Sequence, residues 1–344
     1  MKKVGIVLDK LYVDHNNGPG HPECPERLLV MIDALKENDL LDKLVRIEPR
    51  DATEKEITLV HQPIHYRRMK ATKGKPRVFL DSDTSTCPIS FDAALRAAGG
   101  MVTAVDAVMA GDIDIGFPLV RPPGHHAETD RAMGFCLFNN VAVGAAHAVK
   151  NHDLDRILIV DWDLHHGNGT EHMFNNRRDI LYFSTHQHPY YPGTGAFTDV
   201  GFDRGAGYTI NVPLTPIMGD AEYMKIFNEI LTPVIEQYEP EMILVSVGFD
   251  TYENDPLGGM NVTPSGFAQQ TRFLKEKAQQ YCDGRIVYVL EGGYDLDGLW
   301  LSTKSVFEEL LELNTTDYGD LDAETKADGI IGRVEKTLSD YWKF

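Results

Sequence analysis

The chain has 344 residues, of which 42% are hydrophobic and 25% are charged, and this balance excludes a disordered, collagen-like or disulfide-scaffold protein. It carries 33 Lys and Arg residues against 52 Asp and Glu residues, which gives a formal net charge of −19 at pH 7. This charge argues against direct binding to nucleic acid or to an anionic membrane; it either keeps the protein soluble or attracts cationic partners.

Sequence features also predict the cellular compartment. The four cysteines are scattered without a CxxC pair, so neither a cysteine zinc site nor a disulfide framework is predicted. The apolar run at residues 4–8 is too short for a signal peptide, and no segment approaches the roughly 18 continuous apolar residues of a membrane span. We therefore expect a cytoplasmic protein.

Short β-branched runs alternate with amphipathic stretches, which is the pattern of a mostly parallel sheet covered by helices. The predicted strands are residues 3–8, 114–120, 156–161, 180–184, 208–212, 242–247 and 285–290. The predicted helices are residues 26–37, 91–110, 139–151, 221–237 and 265–281. We predict one α/β domain at residues 1–314 and an acidic helical extension at residues 315–344 that packs on the domain or trails from it.

Histidines and carboxylates directly follow four of the predicted strands. The motifs are RPPGHH at residues 121–126, DWDLHHGNG at 161–169, GFD at 248–250 and EGGYD at 291–295. In an open parallel sheet, the ligand crevice lies beyond the carboxyl ends of the strands. These side chains are therefore expected to share one rim, which we interpret as an active site.

Three of these residues form a candidate metal site. Asp163 and His165 lie two residues apart, so their side chains point the same way, and Asp250 comes from another strand. Two oxygens and one nitrogen leave a coordination position for water or substrate, as in catalytic zinc sites. The same ligands would accept Fe²⁺, Mn²⁺ or Co²⁺. Taken alone, the Asp-x-His pair is equally compatible with structural hydrogen bonding.

Two histidines and a tyrosine are candidates for the chemistry itself. His125 and His126 follow a Pro-Pro-Gly turn, and one imidazole can take a proton from water while its neighbour stays charged. Alternatively, the two histidines form a second metal site or simply pack against each other. Asp161 and Asn168 are candidate acceptors that set the histidine tautomers. Tyr294 can aim its hydroxyl at an oxyanion, although a Gly-Gly-Tyr turn is more often structural.

The order of these motifs, together with GFCLFNN at residues 134–140, resembles the zinc-dependent histone deacetylase family, which includes acetylpolyamine amidohydrolases and acetoin-utilisation proteins. The resemblance runs from His21 to Tyr294. It implies an arginase-like α/β fold around a central eight-stranded parallel sheet. It also implies a metal-dependent amidohydrolase that deacylates N-acetyl-lysine side chains, with acetylpolyamines or other small N-acyl amines as the alternative substrates.

The resemblance assigns a role to each candidate residue. The candidate metal site matches the zinc ligands, His126 matches the general base and acid, and Tyr294 matches the hydroxyl that binds the acyl carbonyl. His125, backed by Asp161, matches the electrostatic partner. Asn168 stands behind the second histidine, where class II enzymes have Asn and another class has Asp. The resemblance is therefore to class II.

A structural potassium ion is also implied by the resemblance. Its site would use Asp161, Asp163, His165, Ser184 and the carbonyl of Thr185.

The substrate tunnel and its rim are placed by the same resemblance. Gly134, Phe135 and Tyr191 would wall the tunnel that holds the acyl-lysine stem, and Tyr191 replaces the usual Phe with a polar edge. Leu257 falls where polyamine-specific relatives carry an acidic gatekeeper, so its apolar side chain weighs against polyamines. Asp83 is an acidic rim residue that could replace that gatekeeper.

The resemblance also implies that Arg27 lines an internal channel through which acetate would leave.

Two other functions stay open at this point. A binuclear ureohydrolase, the fold relative, would need further carboxylates for a second metal and has no use for Tyr294. The second alternative function is a non-catalytic protein that binds acyl-lysine or a metabolite. Every catalytic position nevertheless carries a competent side chain. Metal stoichiometry and turnover of an acyl amide would distinguish these functions. The chain could also form an oligomer.

Overall fold

The computed structural model describes residues 2–318 and 325–344 and is built on one eight-stranded parallel sheet. The strands are β1 (Val4–Val7), β2 (Val45–Ile47), β3 (Val78–Phe79), β4 (Ser85–Thr86), β5 (Ile115–Pro118), β6 (Ile157–Asp161), β7 (Ile180–Gln187), β8 (Thr209–Leu214), β9 (Met242–Val247) and β10 (Ile286–Leu290). β3 and β4 form a separate antiparallel pair, and the order of the large sheet is β2-β1-β5-β10-β9-β6-β7-β8. The predicted fold class is confirmed.

Helices connect and cover the strands. They are α1 (Lys10–Asp14), α2 (Pro25–Glu37), α3 (Glu54–Ile57), α4 (Pro63–Lys70), α5 (Ser90–Ala110), α6 (Asn140–His152), α7 (Asn168–Phe174), α8 (Asp220–Ile226), α9 (Thr232–Tyr238), α10 (Pro264–Tyr281), α11 (Leu296–Leu310) and α12 (Asp328–Leu338). Every residue of β5 to β10 is buried, which explains why these strands are nearly continuous apolar runs in the sequence.

The helix α5 is long and apolar enough to cross a membrane, judged by its length and composition only. In the structure, however, 72% of its most apolar 18-residue window is buried inside the protein. It packs against α6 and β5, so its hydrophobicity is that of a core helix.

The structure differs from the sequence prediction at one helix. Residues 221–237 do not form one continuous α-helix, because a π-helical segment, Phe227–Leu231, separates α8 from α9. Pro233 explains the interruption: it has no N–H to donate to the carbonyl four residues earlier, and its ring clashes with that carbonyl. Single π-helical turns commonly absorb such a disruption.

The described part of the predicted C-terminal extension packs on the domain. α12 buries Ile331, Val334 and Leu338, and it contacts β8. Beyond the helix, the indole Nε1 of Trp342 donates a hydrogen bond of 2.7 Å to the carbonyl of Gly207. The boundary at residue 314 itself stays a prediction.

The sheet order determines where the functional loops meet. β5, β10, β9 and β6 are consecutive neighbours, and all are parallel. The loops that carry the four sequence motifs leave the carboxyl ends of these four strands. The central strands of the sheet therefore deliver all four motifs to one edge, as parallel α/β sheets require of a ligand site.

Candidate active site

The three candidate metal ligands converge at this edge. The donor atoms of Asp163, His165 and Asp250 all lie within 4.8 Å of one another. The Nδ1 atom of His165 is 3.1 Å from Oδ2 of Asp250 and 3.3 Å from Oδ1 of Asp163. The two aspartates are buried and the histidine is nearly so. The structure thus brings together residues that are 85 positions apart in the chain.

Two glycines leave the space that this group occupies. A Cβ atom on Gly292 would lie 2.2 Å from Oδ2 of Asp250, and one on Gly248 would lie 2.3 Å from Oδ2 of Asp163. The amide of Gly292 instead donates a 2.8 Å hydrogen bond to Asp163. One nitrogen and two carboxylates in a walled, buried position fit a divalent transition metal with an open coordination position.

The electrostatics of the group also favour a cation. Burial alone would lower the pKa of His165, but the hydrogen bonds and charges of Asp163 and Asp250 raise it to about 9. Burial and the charge of Asp163 raise the pKa of Asp250 above its ordinary value. Two buried carboxylates side by side are costly unless positive charge lies between them, and a bound metal ion would supply that charge.

His125 lies where the sequence analysis expects a charged imidazole. Its Nδ1 atom is 3.1 Å from Oδ2 of Asp161, and its Nε2 atom is 3.7 Å from Oδ1 of Asp163. Burial lowers the pKa of His125, but the charges of Asp163 and Asp161 outweigh it and raise the pKa to about 10. The two carboxylates therefore favour the protonated form of this ring.

His126 has the opposite character although its ring centre is only 4.0 Å from that of His125. Burial, followed by the positive charges of His125 and His165, lowers the pKa of His126 well below its ordinary value. The Nδ1–H group donates to Oδ1 of Asn168 at 2.8 Å, which leaves Nε2 as the proton acceptor. Two adjacent histidines with pKa values pushed apart are suited to different tasks.

Glu128, which the sequence analysis did not single out, fixes the orientation of Asn168. The Nδ2 group of Asn168 donates to Oε1 of Glu128 at 2.5 Å, so the amide oxygen must face His126. Oε1 of Glu128 also lies 2.8 Å from Nδ1 of His172. Glu128 therefore acts through Asn168 on the tautomer of His126.

The turn that carries Tyr294 is held from two sides. Asp255 accepts hydrogen bonds from the amides of Tyr294 at 2.6 Å and Asp295 at 3.1 Å. Arg27 is buried behind the turn, where its Nε group donates to the carbonyl of Gly293 at 2.5 Å. Its guanidinium carbon is 4.9 Å from the centre of the Tyr294 ring.

The Tyr294 hydroxyl keeps its proton in this environment. Burial raises its pKa well above the ordinary value; Arg27 opposes this, whereas Asp250 and Asp163 add to it. A neutral phenol near the metal ligands can donate a hydrogen bond to a negatively charged oxygen. The structure thus places Arg27 against Tyr294. The predicted position of Arg27 in an exit channel stays a prediction.

Gly134 and Phe135 form a tight turn against His126. Met133 and Cys136 exchange two backbone hydrogen bonds, and the two residues between them have φ values of +55° and +67°, as in a type I′ turn. A Cβ on Gly134 would lie 2.4 Å from Cδ2 of His126. Glycine at this position therefore permits the close approach that puts Phe135 beside the site.

Aromatic rings surround the approach to the site. The ring centre of Phe135 is 5.9 Å from that of Tyr294, and the ring centre of Tyr191 is 5.1 Å from that of His126. Tyr190, which the sequence analysis did not predict, stacks on His165 at 5.7 Å. The two predicted aromatic wall residues thus each lie against one of the candidate catalytic side chains.

The predicted rim residues are also near this approach. Oδ1 of Asp83 accepts a 2.8 Å hydrogen bond from the hydroxyl of Thr84, which in turn accepts one of 3.0 Å from the amide of Phe135. Leu257 is half-buried, and its amide donates to Oδ1 of Asp255, the carboxylate that holds the Tyr294 turn. Their predicted roles in selecting substrates stay predictions.

The residues predicted to bind potassium lie on β6, on the loop after it and on β7. Asp161 and Ser184 are register partners in the sheet, and both are completely buried. The Asp161 carboxylate accepts a 3.0 Å hydrogen bond from the hydroxyl of Tyr182. The hydroxyl of Ser184 contacts His186, and that of Thr185 has no partner among the described residues. Potassium binding stays a prediction.

Comparison with known proteins decides the family. The family model described as the histone deacetylase domain matches residues 21–310. The chain belongs to the histone deacetylase family. The crystal structure of the HDA15 HD domain superimposes with a TM-score of 0.93 and 33% identity, over 99% of this chain and 95% of that one. The comparisons thus support a deacetylase family of hydrolases for this chain.

Its relatives carry several deacetylase names. A probable deacetylase of Archaeoglobus fulgidus is 40% identical over 298 residues, which cover 86% of this chain and 82% of that protein. Histone deacetylase 5 of Arabidopsis thaliana and human polyamine deacetylase HDAC10 are also 40% identical. The aligned regions cover 90% and 84% of this chain, but only 49% and 45% of those two histone deacetylase family proteins.

The contact between Glu128 and Asn168 gives a testable prediction for this histone deacetylase family member. In Glu128→Leu, Asn168 loses its anchor and can turn its amide group toward His126, which favours the wrong tautomer. We expect kcat to fall about 10-fold with KM unchanged, on the scale of residues that orient catalytic groups. Steady-state kinetics on an acetyl-lysine peptide measures this effect.

Glu128→Gln is the matched control, since its side-chain oxygen can still accept from Asn168. It should retain most of the wild-type kcat. Equal kcat values for the wild type and both variants would show that Glu128 does not position His126.

Proposed function

We propose that the protein is a metal-dependent deacetylase that hydrolyses the acetyl or acyl amide of N-acetyl-lysine side chains. The observation that carries this proposal is the oriented imidazole of His126, whose Nδ1 atom is held by Asn168 and whose ring centre lies 5.8 Å from that of His165 in the three-ligand group. A base, a metal position and a hydrogen-bond donor such as Tyr294 at one edge of the sheet are the parts that amide hydrolysis requires.

The metal we propose is Zn²⁺, with Fe²⁺ as the alternative, held by Asp163, His165 and Asp250. When bound, such an ion polarises the amide carbonyl and lowers the pKa of the attacking water. We also propose a structural K⁺ near the buried Asp161 carboxylate, with Ser184 beside it in the sheet.

The side chains of this protein carry the proton transfers. Nε2 of His126 takes a proton from the water whose oxygen attacks the acyl carbon. The Tyr294 hydroxyl donates a hydrogen bond to the carbonyl oxygen as it becomes negative, and charged His125 adds a positive field. The carbon–nitrogen bond then breaks, and His126 returns its proton to the leaving amine. The products are acetate and free lysine.

The approach to the site supports a lysine-like stem. Phe135 and Tyr191 would flank four methylene groups, and Leu257 adds an apolar contact where a charged gatekeeper would select polyamines. Acetylpolyamines are nevertheless a second candidate. A human relative at 40% identity is named a polyamine deacetylase, and the carboxylate of Asp83 is linked through Thr84 to the amide of Phe135.

The experiment that tests the proposed substrate compares acetate release from an acetyl-lysine peptide with release from acetylputrescine, using zinc-reconstituted protein. We expect a higher kcat/KM for the peptide, and we expect a chelator to abolish turnover of both. A higher kcat/KM for acetylputrescine would overturn the peptide proposal and favour the polyamine alternative.

A substitution at Leu257 tests its influence on this preference. In Leu257→Glu, a half-buried carboxylate at the approach would attract the distal ammonium group of acetylputrescine. We expect the ratio of kcat/KM for acetylputrescine to kcat/KM for the peptide to rise about 10-fold, which corresponds to a change of about 1.4 kcal/mol in relative transition-state stabilisation. Leu257→Gln has nearly the same shape without the charge and should leave the ratio close to wild type. Equal ratios in both variants would contradict the assignment.

A further inference from the structure

A second group of metal-binding side chains lies outside the catalytic rim. Asp106 on α5 and the two histidines His147 and His152 on α6 place their donor atoms within 4.8 Å of one another. The Nε2 atoms of both histidines lie 2.7 Å from the same carboxylate oxygen, Oδ1 of Asp106. None of the sequence motifs of the catalytic rim includes these three residues.

We propose that Asp106, His147 and His152 form a second binding site for a divalent transition metal such as Zn²⁺, Co²⁺ or Ni²⁺. Two imidazole nitrogens and one carboxylate are ligands that these ions prefer, whereas Ca²⁺ and Mg²⁺ prefer oxygen ligands alone. Three protein ligands leave a position for water.

The three side chains need to move little to accept an ion. Ligand atoms around a tetrahedral metal lie about 3.3 Å apart when each bond is about 2.0–2.1 Å long. The present separations of 2.7 Å must therefore open by only about 0.6 Å. His152 is the last residue of α6, where the backbone has most freedom to adjust.

The three side chains of this site differ in their exposure to solvent. The side chain of His147 is only 6% exposed, whereas those of Asp106 and His152 are 42% and 23% exposed. An ion can therefore reach the group from solvent and meet a ligand that packing already holds in place. Nδ1 of His147 lies 2.7 Å from the Asn151 side-chain amide, whose oxygen could accept the Nδ1–H group once Nε2 binds the metal.

The surrounding charges are compatible with a cation. Glu56 on α3 lies 3.9 Å from Nδ1 of His147, but both of its carboxylate oxygens bind the guanidinium of Arg50, so this pair is close to neutral. Asp106 supplies the negative charge that faces both imidazoles. One carboxylate and two neutral imidazoles would leave a bound divalent ion with a net charge of about +1, a common state for a partly solvated site.

This site is remote from the chemistry. α6 begins next to Asn139, whose amide reaches the carbonyl of His125, and ends at His152. Its 13 residues span about 20 Å at 1.5 Å per residue. The ion would therefore tie α5 to the far end of α6 and act on stability, without contacting substrate.

Cobalt binding to the chelator-stripped full chain tests this proposal. We expect the wild type to bind about two Co²⁺ ions per chain and Asp106→Asn about one, because an amide replaces the carboxylate ligand. His152→Ala should likewise bind one fewer ion than the wild type, and it guards against a packing defect specific to position 106. Both variants should keep wild-type deacetylase activity when zinc is supplied. A wild type that binds no more Co²⁺ than both variants would overturn the proposal.

The variant Asp250→Asn disables the metal site at the catalytic rim, so that binding at the second site can be measured alone. We expect Zn²⁺ to raise the Tm of Asp250→Asn, because an ion that binds only the folded state stabilises it, and to leave the Tm of the double variant Asp250→Asn with His152→Ala unchanged. Equal Tm shifts in these two proteins would refute a metal site at Asp106. Neither result depends on whether the protein hydrolyses acetyl-lysine, so the two proposals fail separately.

Discussion

Replacing His126 with alanine is expected to lower kcat for an acetyl-lysine peptide by at least about 100-fold, the loss typical of a general acid–base group. His126 has a lowered pKa, and its Nδ1–H group is held by Asn168, so its Nε2 atom is the proton acceptor at neutral pH. It is not one of the three metal ligands, so the metal content should stay at the wild-type level. Steady-state kinetics with metal analysis of the same sample measures both quantities.

The pH profile provides a second measurement on His126. A base works only when unprotonated, and the pKa of His126 is lowered well below its ordinary value of about 6.5. The kcat/KM of the wild type should therefore hold its level as the pH falls through about 6.5, and decline only at lower pH. Wild-type kcat in His126→Ala, or a decline in the wild type that begins well above pH 6.5, would contradict the assigned role.

Replacing Tyr294 with phenylalanine is expected to lower kcat by about 100-fold or more, as the loss of one oxyanion donor typically does. The substitution removes only the hydroxyl. The ring can still lie over Arg27, and the backbone amide can still donate to Asp255, so the turn should keep its position. The hydroxyl acts most strongly when the carbonyl oxygen becomes negative, so kcat should fall much more than KM changes.

Metal content and Tm serve as controls for Tyr294→Phe, and both should match the wild type. Activity within a few-fold of wild type would remove Tyr294 from the mechanism. A loss confined to KM would instead assign the hydroxyl to ground-state binding of the substrate.

The catalytic edge could be predicted because its signals are local in the sequence. β6 is an unbroken apolar run that ends at Asp161, and the polar motif follows at once. Parallel strands buried on both faces produce this pattern, and their carboxyl ends share one edge. Placing Asp163 and Asp250 together therefore required no knowledge of distant contacts.

Other features had no such local signal. β2 is a three-residue edge strand with exposed residues, so it lacks the apolar run that marks the central strands. Glu128 reaches Asn168 across 40 positions, and Asp255 reaches the Tyr294 amide across 39. These carboxylates orient the catalytic groups through folded loops, and no spacing or periodicity in the chain indicates such a contact.

The second metal group was missed for the same reason. His147 and His152 lie five residues apart, and Asp106 lies 41 positions before His147. No common ligand spacing links them. Only the packing of α5 against α6 brings the carboxylate between the two imidazoles.

Metal removal and restoration would test the proposed enzyme most directly. Acetate release from an acetyl-lysine peptide would be measured for the chelator-stripped protein, for the same protein after addition of Zn²⁺ or Fe²⁺, and for Asp250→Asn treated identically. We expect no release from the stripped protein, recovery when either metal is added to the wild type, and no recovery in Asp250→Asn. Acetate release that is unaffected by stripping, or full recovery in Asp250→Asn, would contradict a metal-dependent deacetylase built on Asp163, His165 and Asp250.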